Sequence, residues 1–170
     1  METMKILTVC LGNICRSPAA ESVLIHEFEK AGIEAEVASA GTGDYHIGSD
    51  AHHLTQKVGT ERGYTFSTVA QQITADHLEE ADLVLAMDDS NLSNILALTE
   101  NDDQRAKVVR FGAFGSTVND NGIANVPDPY GHPEEAFVSM YDQIEDAAQG
   151  LVQAIQDDSL ATVLEKYGGK

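Results

Sequence analysis

A cysteine and an arginine with five residues between them, Cys10 and Arg16, have the types and the spacing of a phosphate-binding loop. The segment follows the apolar run of residues 6–9 and precedes Pro18 and helix-forming residues, so the predicted order is strand, tight loop, helix. Such a loop can aim several backbone N–H groups at one point, and the helix N-terminus adds a positive field. The same field favours the thiolate of Cys10, which makes this residue a candidate nucleophile.

The other residues of the segment favour this interpretation over a chance spacing. Gly12 and Asn13 are the residue types that best tolerate a positive φ, and they stand where the backbone must curl. Ser17 is predicted to cap the following helix. The planar fork of Arg16 matches two phosphate oxygens. A buried cysteine beside a surface arginine would leave these features unexplained.

Phosphoryl transfer to Cys10 needs a proton carrier, and Asp128 is the best candidate. A phenol has a pKa of about 10, so a general acid assists its departure at neutral pH, and a base must then activate water. Asp128 lies between Pro127 and Pro129, which restrict the backbone around it. Tyr130 stands close enough in sequence to form one wall of a pocket. Without the Cys10 loop, this segment would read as an ordinary Pro-Asp-Pro turn.

The elements that must position these residues alternate between short apolar strands and helices. This alternation predicts an α/β fold with a parallel sheet covered on both faces, where ligands bind at the carboxyl ends of the strands. The Cys10 loop lies at such an end. We predict strands at residues 6–9, 36–40, 82–87 and 107–111, helices at 18–31, 51–62, 88–98 and 133–157, and an irregular segment at 112–130.

Length and composition limit the possible classes of protein. The 170 residues predict one domain, residues 1–170, in which 159–170 form a C-terminal extension with a frayed Gly-Gly-Lys end. The formal net charge of −18 argues against nucleic acid or an anionic membrane as a partner, and no apolar run is long enough to span a membrane. Two cysteines, too few for a disulfide scaffold, favour the cytoplasm.

Four motifs, in the same order, resemble those of the low-molecular-weight protein tyrosine phosphatases. The resemblance covers about residues 5–154 and implies a three-layer sandwich with a four-stranded parallel sheet, order 2-1-3-4, and helices on both faces. It also implies hydrolysis of phosphotyrosine on proteins through a phosphocysteine intermediate, with phosphate as product and with no metal or cofactor. The motifs are residues 10–18, Ser39-Ala40-Gly41-Thr42, Met87-Asp88-Asp89-Ser90-Asn91-Leu92 and Asp128-Pro129-Tyr130.

The resemblance also implies a role for each site residue. Cys10 would be the nucleophile, Arg16 the phosphate clamp, and Asp128 the acid and then the base. Ser17 would hydrogen-bond the Cys10 thiolate, and Asn13 would hold the strained backbone of the loop that runs through Leu11, Gly12, Ile14 and Cys15. The slot for the substrate ring would be lined by Leu11, Ile14, Tyr45 and Tyr130.

The chain departs from the family pattern at two places. The family often has Ser-His-x-Ala-Arg where this chain has Ser67-Thr68-Val69-Ala70-Gln71, which leaves the support of the loop from this side in question. Gly131 follows Tyr130 where relatives often carry a second tyrosine, which predicts a more open rim.

Three competing activities can be weighed from the residues. Arsenate reductases of this scaffold relay a disulfide through further cysteines in mid-chain, and this chain has none after Cys15, which excludes an internal relay and leaves only a reductase that uses an external thiol. Protein-arginine phosphatases carry a threonine where this chain has Ile14, and an apolar branched side chain suits a phenyl ring better than a guanidinium. A catalytically silent phosphoprotein-binding module would be expected to lose Cys10, Arg16 or Asp128, and all three are present.

Cys15 supports two interpretations. A curled loop could bring it within disulfide range of Cys10, and such a bridge would protect the nucleophile from irreversible oxidation. Alternatively, Cys15 is a small buried apolar residue.

Overall fold

Four parallel strands form the sheet at the centre of the computed structural model, which describes residues 3–116 and 125–169. The strands are β1 (Met4–Cys10), β2 (Ala35–Gly41), β3 (Leu83–Ala86) and β4 (Val108–Arg110). Their order in the sheet is β2-β1-β3-β4, and every pair is parallel. The predicted sheet order is therefore confirmed.

The two central strands are apolar on both faces because helices cover both faces. All four residues of β3 are buried, and they alternate between two separate apolar clusters. Leu83 and Leu85 face one cluster, while Val84 and Ala86 face the other. This arrangement explains why the sequence shows continuous apolar runs instead of alternation.

Seven α-helices and one 3₁₀-helix surround the sheet in the part of the chain that the structure describes. The first cluster is built largely by α1, which packs against β1 and β2, and by α6, which packs against α1. The second is built by α3 and α4. The helices are α1 (Arg16–Ala31), α2 (His53–Glu61), α3 (Ala75–Glu80), α4 (Asp89–Leu96), α5 (Asp102–Ala106), the 3₁₀-helix Phe111–Phe114, α6 (Glu134–Gln156) and α7 (Leu160–Tyr167).

The long helix α6 supplies the centre of the larger cluster. Five residues of its predicted apolar stripe are fully buried: Phe137, Tyr141, Ile144, Ala148 and Leu151. The Tyr141 hydroxyl donates to the carbonyl of Thr55 at 2.6 Å, so its polar end is satisfied inside the core. The stripe is therefore core, as predicted.

No helix within residues 3–116 and 125–169 is long and apolar enough to cross a membrane.

The helix that follows the Cys10 loop begins earlier than predicted. Helix α1 starts at Arg16 with Cys15 as its N-cap residue, and no side chain caps it. The predicted cap by Ser17 is therefore wrong, because this side chain turns towards Cys10 instead. The short helices α3 and α5 were not predicted, since five or six residues carry too little periodicity to read.

The C-terminal residues are held more firmly than predicted. Helix α7 lies in the predicted extension and packs against β4 and the 3₁₀-helix. The backbone N–H of Gly169 donates to the carbonyl of Val108 at 2.8 Å, so this glycine is tied to the edge strand and not frayed. Lys170, and residues 117–124 of the predicted irregular segment, lie outside the described residues.

Candidate active site

The loop between β1 and α1 curls around a single residue with left-handed backbone. Asn13 has a φ of 57°, whereas Gly12 is not among the described residues of positive φ, although both were expected to accept it. Gly12 matters for space instead: a Cβ built there would lie 3.0 Å from Cδ2 of His46. The loop therefore needs Asn13 for its curl and Gly12 for the close approach of an imidazole.

The side chain of Asn13 holds the loop from behind. Its Nδ2 donates to Oγ of Ser17 at 2.8 Å and to Oγ of Ser39 at 2.9 Å, and its Oδ1 accepts from the N–H of Gln71 at 2.9 Å. Asn13 is 1% exposed, so water does not compete for these bonds. Three segments of the chain are joined at one amide, which offsets the cost of its strained backbone.

The segment that departs from the family pattern nevertheless supports the loop. Gln71 contributes its backbone N–H to Asn13, and its Nε2 donates to the carbonyl of Ser39 at 2.9 Å. Gln71 thus supports the loop in place of the missing histidine and arginine.

At the second departure from the family pattern, Gly131 has a φ of 81°, a backbone conformation that residues with a side chain rarely adopt.

The sulfur of Cys10 receives two hydrogen-bonding groups. The N–H of Asn13 donates to Sγ at 3.3 Å, and Oγ of Ser17 lies 3.1 Å from Sγ. Because Ser17 accepts from Asn13, its own proton can be donated to the sulfur, and the carbonyl of Ala40, at 3.5 Å, is the more distant alternative acceptor. Both groups are placed to stabilise negative charge on the sulfur when it acts as nucleophile or leaving group.

Arg16 is held almost completely buried at the start of α1. It is 3% exposed, and its Nη1 donates to Oδ2 of Asp88 at 2.6 Å and to the carbonyl of Val126 at 3.1 Å. Its buried Nε has no hydrogen-bond partner within residues 3–116 and 125–169, and a phosphate oxygen is a suitable acceptor for it. The guanidinium is therefore oriented by Asp88 and keeps donor capacity for an anion.

Asp88 orients Arg16, although no role was predicted for it within the motif at residues 87–92. Its Oδ1 accepts from the N–H of Asn91 and so caps α4, while its Oδ2 pairs with Arg16. A signal was available, because Asp88 follows β3 at the carboxyl edge of the sheet where ligands bind.

Asp128 lies at the open side of the pocket. Its side chain is 46% exposed, its Oδ1 accepts from the N–H of Tyr130 at 3.1 Å, and its Oδ2 is 3.8 Å from Nη2 of Arg16. The carboxyl group is thus oriented by a local turn and is open to solvent, as proton exchange with water requires.

One cavity of about 320 Å³ brings the predicted site residues together. Asn13 and Ser17 do not line it but lie buried behind the loop. The lining also includes His46, which the sequence analysis did not select. The predicted residues that line the cavity are Cys10, Leu11, Gly12, Ile14, Cys15, Arg16, Tyr45, Asp128 and Tyr130.

Cys15 is a buried free thiol, as is Cys10. Burial raises the pKa of the Cys15 thiol to about 12, and the negative charges of Cys10 and Asp128 act in the same direction. Cys15 is therefore neutral at physiological pH.

His52, also missed from the sequence, connects the pocket wall to α2. Its Nδ1 accepts from the N–H of Leu54 at 3.1 Å and caps α2. Its ring stacks on Phe137 with centroids 5.0 Å apart and meets the edge of Tyr130 at 5.8 Å.

Within the described residues, no group of three or more His, Cys, Asp or Glu side chains could hold a metal ion.

Comparison with known proteins identifies the family to which this arrangement corresponds. The profile of the low molecular weight phosphotyrosine protein phosphatase family matches residues 5–161. A low molecular weight phosphotyrosine protein phosphatase of Schizosaccharomyces pombe is 37% identical over 158 residues, covering 91% of this chain and 98% of the relative. A low molecular weight protein-tyrosine-phosphatase of Streptomyces coelicolor is 34% identical over 91% of this chain and 95% of the relative. The crystal structure of a protein tyrosine phosphatase from Entamoeba histolytica superposes with a TM-score of 0.86 at 33% identity, covering 93% of this chain and 100% of that one. The chain therefore belongs to the low molecular weight phosphotyrosine protein phosphatase family.

Proposed function

We propose that this protein hydrolyses phosphotyrosine on proteins through a phosphocysteine formed on Cys10. One observation carries the proposal: Cys10, Arg16 and Asp128 line a single cavity, and the sulfur at its base receives hydrogen bonds from the loop. A nucleophile, a clamp for the equatorial oxygens and a proton carrier are what phosphoryl transfer requires of a protein.

The reaction has two displacements. In the first, the Cys10 thiolate attacks phosphorus, the bond from phosphorus to the phenolic oxygen breaks, and the Asp128 carboxyl group gives its proton to that oxygen. In the second, the Asp128 carboxylate takes a proton from water, the water oxygen attacks phosphorus, and the P–S bond breaks. Inorganic phosphate and the Cys10 thiolate are regenerated. Arg16 and the loop N–H groups stabilise the charge on the phosphoryl oxygens in both steps.

The side chains that line the cavity favour an aromatic phosphate ester. Leu11, Ile14 and Tyr130 are apolar or aromatic and line the same space as the nucleophile. A planar phenyl ring can pack between such side chains, with its phosphate in the loop. We therefore assign phosphotyrosine, and not phosphoarginine, as the substrate group.

The test uses purified protein and a series of aryl phosphates whose leaving groups differ in acidity. Cys10→Ser should abolish turnover, because the hydroxyl is a much weaker nucleophile. Asp128→Asn should reduce kcat by about 10²- to 10⁴-fold for poor leaving groups and much less for good ones, since only the former need the proton. Asp76→Asn, which changes an exposed carboxylate on α3, is the matched control.

Turnover that survives Cys10→Ser would rule out the phosphocysteine route. An equal loss for all leaving groups in Asp128→Asn would rule out its role as the acid.

The proposed partners follow from charge and chemistry. The substrate is a phosphotyrosine-bearing protein and the product is phosphate, whereas the net charge of −18 disfavours nucleic acid as a ligand. Two free thiols in the site favour a reducing compartment, and we propose the cytoplasm. We further propose that residues 1–170 act as one phosphatase domain, with 159–170 as a packed extension.

A further inference from the structure

Exposed large hydrophobic side chains are concentrated on the segments beside the pocket mouth. Within residues 3–116 and 125–169, eight large hydrophobic side chains are exposed, and five of them lie on the segments that border the mouth. We call these five the apolar rim: Leu11 (41% exposed), Tyr45 (71%), Ile47 (59%), Val69 (54%) and Tyr130 (52%). A patch of this kind around a binding site indicates a contact surface.

The rim extends outward from the cavity on a hydrogen-bonded platform. Leu11, Tyr45 and Tyr130 line the cavity itself. Ile47 follows Tyr45 in the same turn, and Val69 forms an antiparallel bridge with Asp50, three residues further along. The platform is closed by two further bonds, from the N–H of Gly48 to Ala70 and from the N–H of Ala70 to Ser49. Ile47 and Val69 therefore extend the exposed apolar surface outward from the Tyr45 side of the cavity.

The charges around the mouth are unsuited to an acidic peptide. Residues 42–53, 66–72 and 125–133 contain no lysine or arginine, and their carboxylates are Asp44, Asp50 and Asp128. Arg16 is buried and paired, so it acts on the phosphate and not on flanking residues. With a net charge of −18, the protein repels carboxylates near the mouth, while the rim gains from apolar contact.

We propose that the apolar rim selects phosphotyrosine segments whose neighbouring residues are apolar and uncharged over segments with acidic neighbours. The inference rests on the proposed function and names the class of sequence that its pocket accepts. A second copy of the chain is a weaker occupant, because the contact would join two molecules that each carry −18.

The test compares two phosphotyrosine peptides of equal length, one with leucine and valine on both sides of the phosphotyrosine and one with glutamate and aspartate. Each kcat/KM is divided by the value for free phosphotyrosine measured with the same variant, so that changes in the chemistry cancel. In the wild type, the apolar peptide should exceed the acidic one by at least tenfold. The double variant Ile47→Ser/Val69→Ser should lose about five- to tenfold on the apolar peptide and less than twofold on the acidic one, as expected for the loss of two apolar contacts.

Leu98→Ser is the matched control, because Leu98 is also an exposed large hydrophobic residue but lies just beyond the C-terminal end of α4. It should leave all ratios unchanged. Added salt gives an independent signature. The kcat/KM relative to free phosphotyrosine should rise for the acidic peptide, since screening weakens the repulsion of its carboxylates, and stay level for the apolar one.

Three results would overturn the proposal. The first is equal or better turnover of the acidic peptide by the wild type. The second is a double variant that behaves as Leu98→Ser does. The third is a dimer in sedimentation that the double variant dissociates without any change of peptide selectivity. Absence of turnover on free phosphotyrosine would instead refute the proposed function, and this inference with it.

Discussion

Replacing Asp88 by asparagine should loosen the orientation of the Arg16 guanidinium while the fold stays intact. The carboxylate accepts from Nη1 of Arg16 at 2.6 Å, and the arginine is 3% exposed while the Asp88 side chain is 25% exposed. Aspartate uses one oxygen to cap α4 and the other to accept from Arg16, whereas asparagine has a single acceptor oxygen. Asparagine caps a helix as well as aspartate does, so with its oxygen on the cap α4 should keep its start, while its NH2 group faces Nη1 of Arg16 and cannot accept from it. The substitution therefore removes both the charge and the hydrogen bond that orient Arg16.

The expected cost follows from the geometry. A hydrogen bond between charged groups contributes about 1.5–3 kcal/mol, so the variant, which loses this bond, should lose about that much unfolding free energy. For a chain of this size, that lowers Tm by about 3–12 °C. If a similar amount is lost from the transition state through looser orientation of Arg16, kcat should fall by about 10- to 100-fold.

The assay combines kinetics on an aryl phosphate with thermal unfolding in the presence and absence of inorganic phosphate. Phosphate should raise the Tm of Asp88→Asn more than that of the wild type, because the anion replaces the lost counterion of Arg16. For the same reason, the inhibition constant for phosphate should not increase, so the loss should appear in kcat. Asp89→Asn is the control: Asp89 is exposed and pairs with Arg110 at the surface, and its loss should change kcat less than twofold.

A kcat within twofold of the wild type, together with an equal response of both proteins to phosphate, would refute this reasoning. Arg16 would then be held by the backbone at Val126 and by the packing of α1, and Asp88 would serve α4 alone.

Two further predictions concern His52 and Cys15. Burial and then the positive neighbours His53 and His46 hold the pKa of His52 below its usual 6.5. As the pH falls, His52 is therefore protonated in the unfolded chain before it is protonated in the folded one. The free energy of unfolding should be highest above about pH 6.5 and decrease as the pH drops below that value. Thermal unfolding from pH 5 to 7 should show a weaker pH dependence in His52→Asn, which keeps the cap acceptor without titrating, and an unchanged slope would contradict this. For Cys15, if a disulfide with Cys10 protects the nucleophile, peroxide-inactivated Cys15→Ser should recover less fully with thiol than the wild type, and equal recovery would leave Cys15 as a core residue.

The local patterns of the chain were enough to predict the layers and the loop. A run of buried apolar residues, a tight turn and a helix start are all encoded within about twenty consecutive residues, so β1, the Cys10 loop and α1 are readable without any distant contact. The stripe on α6 was readable for the same reason, because its period is local. The resemblance of four motifs in the family's order then added the sheet order, which local patterns do not contain.

What could not be read from the chain are the contacts between residues far apart in sequence. Asp88 reaches Arg16 across 72 positions, and Gln71 reaches Asn13 across 58. Ser17 has the residue type of a helix cap, yet Asn13 and Cys10 draw its hydroxyl into the loop. These partners meet because parallel strands bring their carboxyl ends to one edge of the sheet, and each side chain there chooses among several acceptors.

The amino-acid sequence thus contained the chemistry of the site: a thiol, a guanidinium and a carboxyl group in a family's order, on strand–loop–helix units that local periodicity reveals. The tertiary structure set how that chemistry is held, through Asp88 on Arg16, Asn13 and Ser17 behind the sulfur, and an apolar rim assembled from segments as distant as Leu11 and Tyr130. The physical reason is that the chemistry of a catalytic group depends on its residue type, which can be read from the sequence. Its orientation and surroundings depend on how helices and strands pack together, which is visible only in the folded structure.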